Sequence, residues 1–205
     1  MIRKKKVAAL CKKFGRLYVV TSANGVQWIG YGTTFYKMEG MPQMKPVEYA
    51  AAFDFSEKDI NDSIIEDYGS LGDLTNDDCA EEIIVDGEPS AFVYKGETYY
   101  CYAVQGRAVI IPAAQLAPIV ENEYTNFCIR ETSNKKTVLC VKQGLCAEAI
   151  IGTMTWNKEH TDKIKNELCD IINAVQCNYD AMQSDDLTGS EYIMSLLDDK
   201  EESEE

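Results

Sequence analysis

The chain reads as an α+β protein with mixed, mainly antiparallel sheets and helices packed on one side of them. Three observations predict this. Residues 2–14 carry a helical apolar stripe, and short alternating strands then recur between turn signals such as Asn24-Gly25, Asp86-Gly87 and Lys95-Gly96. The stretch 108–156 also runs strand, short helix, then antiparallel strands.

Val7, Leu10, Cys11 and Phe14 fall at i, i+3, i+4 and i+7, the spacing of one helix face. Lys4, Lys5, Lys6, Lys12 and Lys13 take the other faces, and Gly15 stops the helix. Residues 16–22 (RLYVVTS) form a strand, Asn24-Gly25 a hairpin turn, and 26–37 (VQWIGYGTTFYK) one returning arm with Trp28, Tyr31, Phe35 and Tyr36 as its buried mass. Within that arm, residues 30–34 (GYGTT) read as a strand bulge. They lack the lysine and following helix of a nucleotide-binding loop.

Met38, Met41 and Met44 lie in a loop and fill core near the aromatic hairpin. A short helix over 47–53 follows. Ser56 and Asp59 resemble an N-cap pair opening a second helix through Ile60, Ile64 and Ile65. Residues 69–82 are polar, acidic and poor in aromatics, the composition of a mobile linker or loop. Strands are expected over 83–85, 91–94, 98–104, 109–111, 125–131, 137–142 and 145–154, with a short apolar helix over 113–120 limited by Pro118. Asn157 caps a long amphipathic helix, residues 189–197 form a last short helix, and 198–205 read as a disordered tail. The domain reading is 1–88, 89–183 and an acidic tail, 184–205, with the first two subdomains meeting near 69–90. Residues 2–37 and 113–154 share one order of elements, a repeat of pattern without visible identity.

Charge is uneven. The net charge is −14, yet residues 1–50 hold nine Lys/Arg against two acids, residues 54–88 hold thirteen acids against Lys58, and residues 180–205 hold ten against Lys200. A basic head beside an acidic body lets one face meet a polyanion while the rest repels it. No apolar run approaches the roughly 18–20 residues that span a bilayer, and Lys12 and Lys13 interrupt the first apolar stretch, so neither a membrane span nor a signal peptide is expected. Eight cysteines without CxxC spacing read as packed thiols in a reducing cytoplasm.

No residue set announces a reaction. His160 is the only histidine, the acids Asp73, Asp77, Asp78, Glu81 and Glu82 lack the order of a calcium loop, and no nucleophile has a base in local sequence. The expectation is a non-enzymatic protein without cofactor or metal. Two features suggest binding. Lys4, Lys5, Lys12, Lys13 and Arg16 give the first helix a cationic surface suited to phosphates, although a basic solvated face is the commoner origin of such a pattern. Tyr192, Ile193, Leu196 and Leu197 form an apolar strip that docks on its own domain or enters a partner's groove.

The runs VQWIGYGTTFYKMEGMP, RAVIIPAAQLAPI and LCVKQGLCAEAII resemble a group of uncharacterised phage and prophage proteins. Helix followed by strand hairpin, occurring twice in an acidic chain with a lysine-rich helix, also resembles the repeated domain of DNA sliding clamps. That resemblance implies a homo-oligomeric ring whose inner helices face DNA, a replication partner tethered to it, and no catalysis. Residues 113–120 depart from it by carrying no Lys or Arg, and 54–88 has no counterpart. The alternative is an acidic DNA mimic that inhibits a host nucleic-acid-binding or defence protein, with 54–88 as its working surface and the host cytoplasm as its place of action.

Overall fold

In the computed structural model, which describes residues 2–154 apart from 80, 81, 106 and 133, the chain divides after Thr155. The long helix after Asn157, His160, the strip Tyr192, Ile193, Leu196 and Leu197, and the acidic tail all lie outside the described residues. The first unit opens with α1 (Lys4–Phe14), closed by Gly15 at φ 59. Only glycine takes this left-handed position without penalty, so the sequence stop signal is a physical one.

β1 (Arg16–Thr21), β2 (Gln27–Tyr31) and β3 (Thr34–Lys37) follow as an antiparallel meander. The single returning arm expected over 26–37 is therefore two strands. Tyr31 pairs with Thr34, and Gly32, at φ 57, makes the two-residue turn between them, so the expected bulge is a tight hairpin. α2 (Pro46–Ala52) and α3 (Glu57–Asn61) come next. Ser56 and Asp59 do form a capping box, but the helix ends at Asn61. Ile64 and Ile65 enter β4 (Ile64–Asp67), which pairs parallel with β1. Pairing with an open sheet edge outweighs the helical spacing of these β-branched residues.

A 3-10 turn (Gly72–Thr75) and β5 (Ile83–Ile84) lead to β6 (Ser90–Tyr94), β7 (Glu97–Val104) and β8 (Arg107–Pro112). α4 then spans only Ala113–Leu116, shorter than the expected 113–120. Past it, the Pro118 carbonyl accepts from the Arg3 amide, and Ile119 bridges Ile2. β9 (Thr125–Glu131), β10 (Thr137–Gln143) and β11 (Cys146–Gly152) form the second meander.

The eight-stranded sheet has the order β4-β1-β2-β3-β11-β10-β9-β5, and β6-β7-β8 form a second sheet. Among the described strand pairs only β1–β4 is parallel, so the architecture is the α+β, mainly antiparallel one expected. Strands from both sides of residue 88 share the large sheet, and the two meanders join where Tyr36 pairs with Ala149 and Phe35 with Ile150. Read outward from that seam, the order is β3-β2-β1 on one side and β11-β10-β9 on the other. Each triplet follows a helix, so the repeat of pattern in the sequence becomes a repeat of topology. The helices themselves differ: α1 lies on β1 and β2, whereas α4 lies on β7 and β8.

Both faces of the inner strands β1, β2, β3, β10 and β11 are buried, which explains why these read as near-continuous apolar runs, whereas the edge strands β4 and β5 are largely exposed. Leu17, Val19, Ile29, Tyr36, Leu139, Val141 and Ile151 meet Val7 and Cys11 of α1, Tyr49 of α2 and Tyr102, Val109 and Ile111 of the small sheet. Tyr18, Val20, Trp28, Phe35, Cys128, Val138, Cys140 and Ile150 line the opposite face, with Leu71 and Leu74 packed against them. Met38 is buried, and Met41 and Met44 pack against the first cluster, as core filling requires.

Candidate nucleic-acid interface

α1 is held to the sheet by Val7, Ala8, Leu10 and Cys11, leaving its remaining sides to the lysines. Phe14, expected in that apolar stripe, is instead about half exposed and stacks on Tyr31 at 4.4 Å between centroids. The five expected phosphate contacts separate into two groups.

Lys12 and Lys13 serve the fold. The Lys12 ammonium donates to the Asp54 carbonyl at 2.7 Å, lies 3.7 Å from the Asp59 carboxylate and sits over the Phe55 ring. Asp59 is held below its ordinary carboxylate value by hydrogen bonds from the Ser56 amide and hydroxyl, with Lys12 adding to them. The Lys13 ammonium donates to Glu97 of β7 at 2.9 Å. That bond lowers the Glu97 carboxyl, and the Tyr99 hydroxyl donating to the same group lowers it further. Both lysines fall in the last turn of α1, where the helix dipole favours cations.

Lys4, Lys5 and Arg16 remain at the surface, Lys5 and Arg16 exposed and Lys4 half-buried. Lys6, also exposed, extends the group at the start of α1, whereas Arg16 follows the Gly15 stop at the other end of the helix. The first turn of α1 contains no acid, and no side chain caps it. Three successive lysines at the positive end of a helix dipole oppose helix formation by about 0.3–1 kcal/mol each. The same arrangement raises the local potential toward anions.

Of the two expected readings of the acidic segment, linker or loop, the described residues form a loop tied to the sheet. Arg130, on β9, is fully buried and fixes it from below. Its guanidinium donates to the carbonyls of Leu74 at 2.8 Å, Asn76 at 2.6 Å and Asp77 at 3.3 Å, and to the Glu82 carboxylate at 2.7 and 3.2 Å. Lys142 of β10 donates to the other Glu82 oxygen at 2.8 Å. Asp77 accepts from the Ala147 amide at 2.9 Å. Burial works against the Glu82 charge, yet the hydrogen bonds from Lys142 and Arg130 prevail and hold its carboxyl below the ordinary value. Asp73 and Asp78 stay exposed on this anchored segment.

Sequence reading missed Arg130, Lys142 and Glu82 as a unit. Its one signal was a charged residue on each of two otherwise apolar strands, at positions that the strand period directs toward a buried face. Of the six described cysteines, Cys11, Cys128 and Cys140 are buried, Cys79 and Cys101 half-buried, and Cys146 exposed; none is in a disulfide. Burial pushes the Cys11 thiol up to about 12, so it is inert. Among the described residues, no three His, Cys, Asp or Glu side chains are placed to hold a metal, and no helix is long and apolar enough to cross a membrane. No family model matches the chain, and no curated protein or solved structure matches it.

Proposed function

We propose that this protein is a non-enzymatic, clamp-like accessory of phage DNA replication that sets the N-terminal side of α1 against the DNA backbone. The observation that carries the reading is the strand order about the β3–β11 seam, in which two helix-led meanders are joined edge to edge. Lys4, Lys5 and Lys6 in the first turn of α1 support it by placing positive charge together in a chain of net charge −14.

Phosphate contacts release counterions, so the logarithm of affinity falls with the logarithm of salt by about 0.9 per phosphate neutralised. Replacing Lys4, Lys5, Lys6 and Arg16 together by alanine is expected to flatten that slope by about 3–4 in a fluorescence-anisotropy titration with duplex DNA. Lys12→Ala with Lys13→Ala is expected to lower thermal stability and change the slope far less, because both ammonium groups have partners within the fold. Wild-type protein that leaves duplex DNA unbound at low salt, or a fourfold variant with an unaltered slope, refutes the reading.

The anchoring of the acidic segment favours a second reading, an inhibitor whose carboxylates imitate phosphates for a host nucleic-acid-binding protein. A mimic needs its charges fixed in space; β4 pairs with β1, Arg130 holds the carbonyls of Leu74, Asn76 and Asp77, and β5 pairs with β9. The discriminating substitutions are Asp73→Asn and Asp78→Asn at exposed positions. Asp77 is unsuitable, since its carboxylate holds the Ala147 amide.

A further inference from the structure

We propose that two copies of this chain pair through their β6 strands, antiparallel about a two-fold axis, so that their small sheets join into one. β6 is the outer strand of that sheet, with β7 on its inner side, while the far strand β8 is bridged at Ile110 by Met154. Tyr94 and Glu97 close the β6–β7 hairpin around Lys95-Gly96, a two-residue turn with φ 49 and 76. The pair that closes such a turn exchanges backbone hydrogen bonds, so Tyr94, Phe92 and Ser90 direct their amides and carbonyls to β7. Ala91 and Val93 alternate with them and direct theirs outward. Among the described residues neither has a backbone partner on that side, and Val93 is 70% exposed. An open edge of this kind is a template for one more strand.

The charges at its ends select a second copy as that strand. Glu88 stands just before β6 and Lys95 just after it, both exposed. The Lys95 ammonium lies 5.3 Å from the centroid of the Tyr94 ring, which places it on the sheet face that Tyr94 shares with Ser90 and Phe92. An antiparallel partner brings Glu88 of each copy toward Lys95 of the other, whereas a parallel one sets Glu88 beside Glu88 and Lys95 beside Lys95. In the register that opposes Ala91 to Val93, each such pair exchanges both of its backbone bonds. The contact uses the same patch on both copies, so it closes as a dimer and does not propagate. The other edges suit self-pairing poorly. β5 has two residues, and β4 carries Glu66 and Asp67 with no base, so a second copy there would set acid against acid. The β6 contact involves neither α1 nor DNA and stands apart from the reading of the lysines.

Sedimentation velocity of the full chain without DNA, over a concentration series, tests this. Wild type is expected to rise from the mass of one 23.0 kDa chain to twice that mass. Val93→Pro removes an outward amide at an edge position that tolerates proline, and is expected to weaken pairing at least about tenfold. Glu88→Lys and Lys95→Glu leave the backbone bonds in place but set like charges together, so each alone is expected to pair about tenfold more weakly than wild type. An equimolar mixture of these two variants restores opposite charges at both ends and is expected to pair again. A wild type that stays monomeric throughout the series, a Val93→Pro variant that pairs like wild type, or a mixture no more associated than its components overturns the proposal.

Discussion

Arg130→Met is expected to lower the unfolding free energy by about 3–5 kcal/mol, the range seen when one partner is removed from a buried ion pair. The guanidinium is fully buried and serves three carbonyls as well as the Glu82 carboxylate. Without it, those groups lose their donors, Glu82 keeps only Lys142 as a charged partner, and residues 71–79 come free of the sheet. Arg130→Lys is not expected to rescue, because a single ammonium cannot reproduce a planar fork reaching several acceptors at once. Urea unfolding followed by tryptophan emission measures the loss. The pH dependence gives an independent check. Glu82 has a folded value depressed below its ordinary 4.5, so its contribution is present above about pH 4.5 and fades as pH falls through the lower folded value. The variant should lose most of that acid-side slope; an unchanged slope and a loss under 1 kcal/mol would show that the segment is held elsewhere.

Gly30→Ala is the second large effect, expected to cost about 3 kcal/mol, the upper end for forcing atoms into packed space. A Cβ on Gly30 would stand 1.8 Å from the Thr34 carbonyl oxygen and 2.8 Å from the Phe35 Cα, both backbone atoms of the paired strand. Neither can retreat without opening the β2–β3 hairpin, whose second strand makes the seam with β11. Gly32→Ala provides the contrast. Its added Cβ meets open space, so only the left-handed φ of 57 resists it, and the expected cost is about 1 kcal/mol. Thermal denaturation of the two variants side by side should place Gly30→Ala well below Gly32→Ala, and the reverse order would contradict the hairpin geometry.

These glycines show what was legible in the sequence. Local signals survived: the stripe Val7, Leu10, Cys11 and its Gly15 stop, the Ser56–Asp59 cap, the alternation of β9, and the polar turn and Gly144 break that located β10 and β11 within one or two residues. Signals that depend on a distant partner did not. Ile64 and Ile65 have helical spacing, and only the open edge of β1 makes them a strand. Residues 69–82 have the composition of a linker, and only a buried arginine some fifty positions away makes them a fixed part of the sheet. The same limit governs the candidate interface. Lysine spacing marked α1 as cationic, but the partners that occupy Lys12 and Lys13 come from Asp54 and Glu97, far along the chain.

The proposed role requires the chain to assemble and to meet DNA through the first turns of α1. Light scattering of the full chain at low ionic strength, with and without duplex DNA, tests it most directly. The expected result is a mass above that of one 23.0 kDa chain and a further, salt-sensitive increase with DNA. A monomer whose mass is the same in both conditions would contradict it.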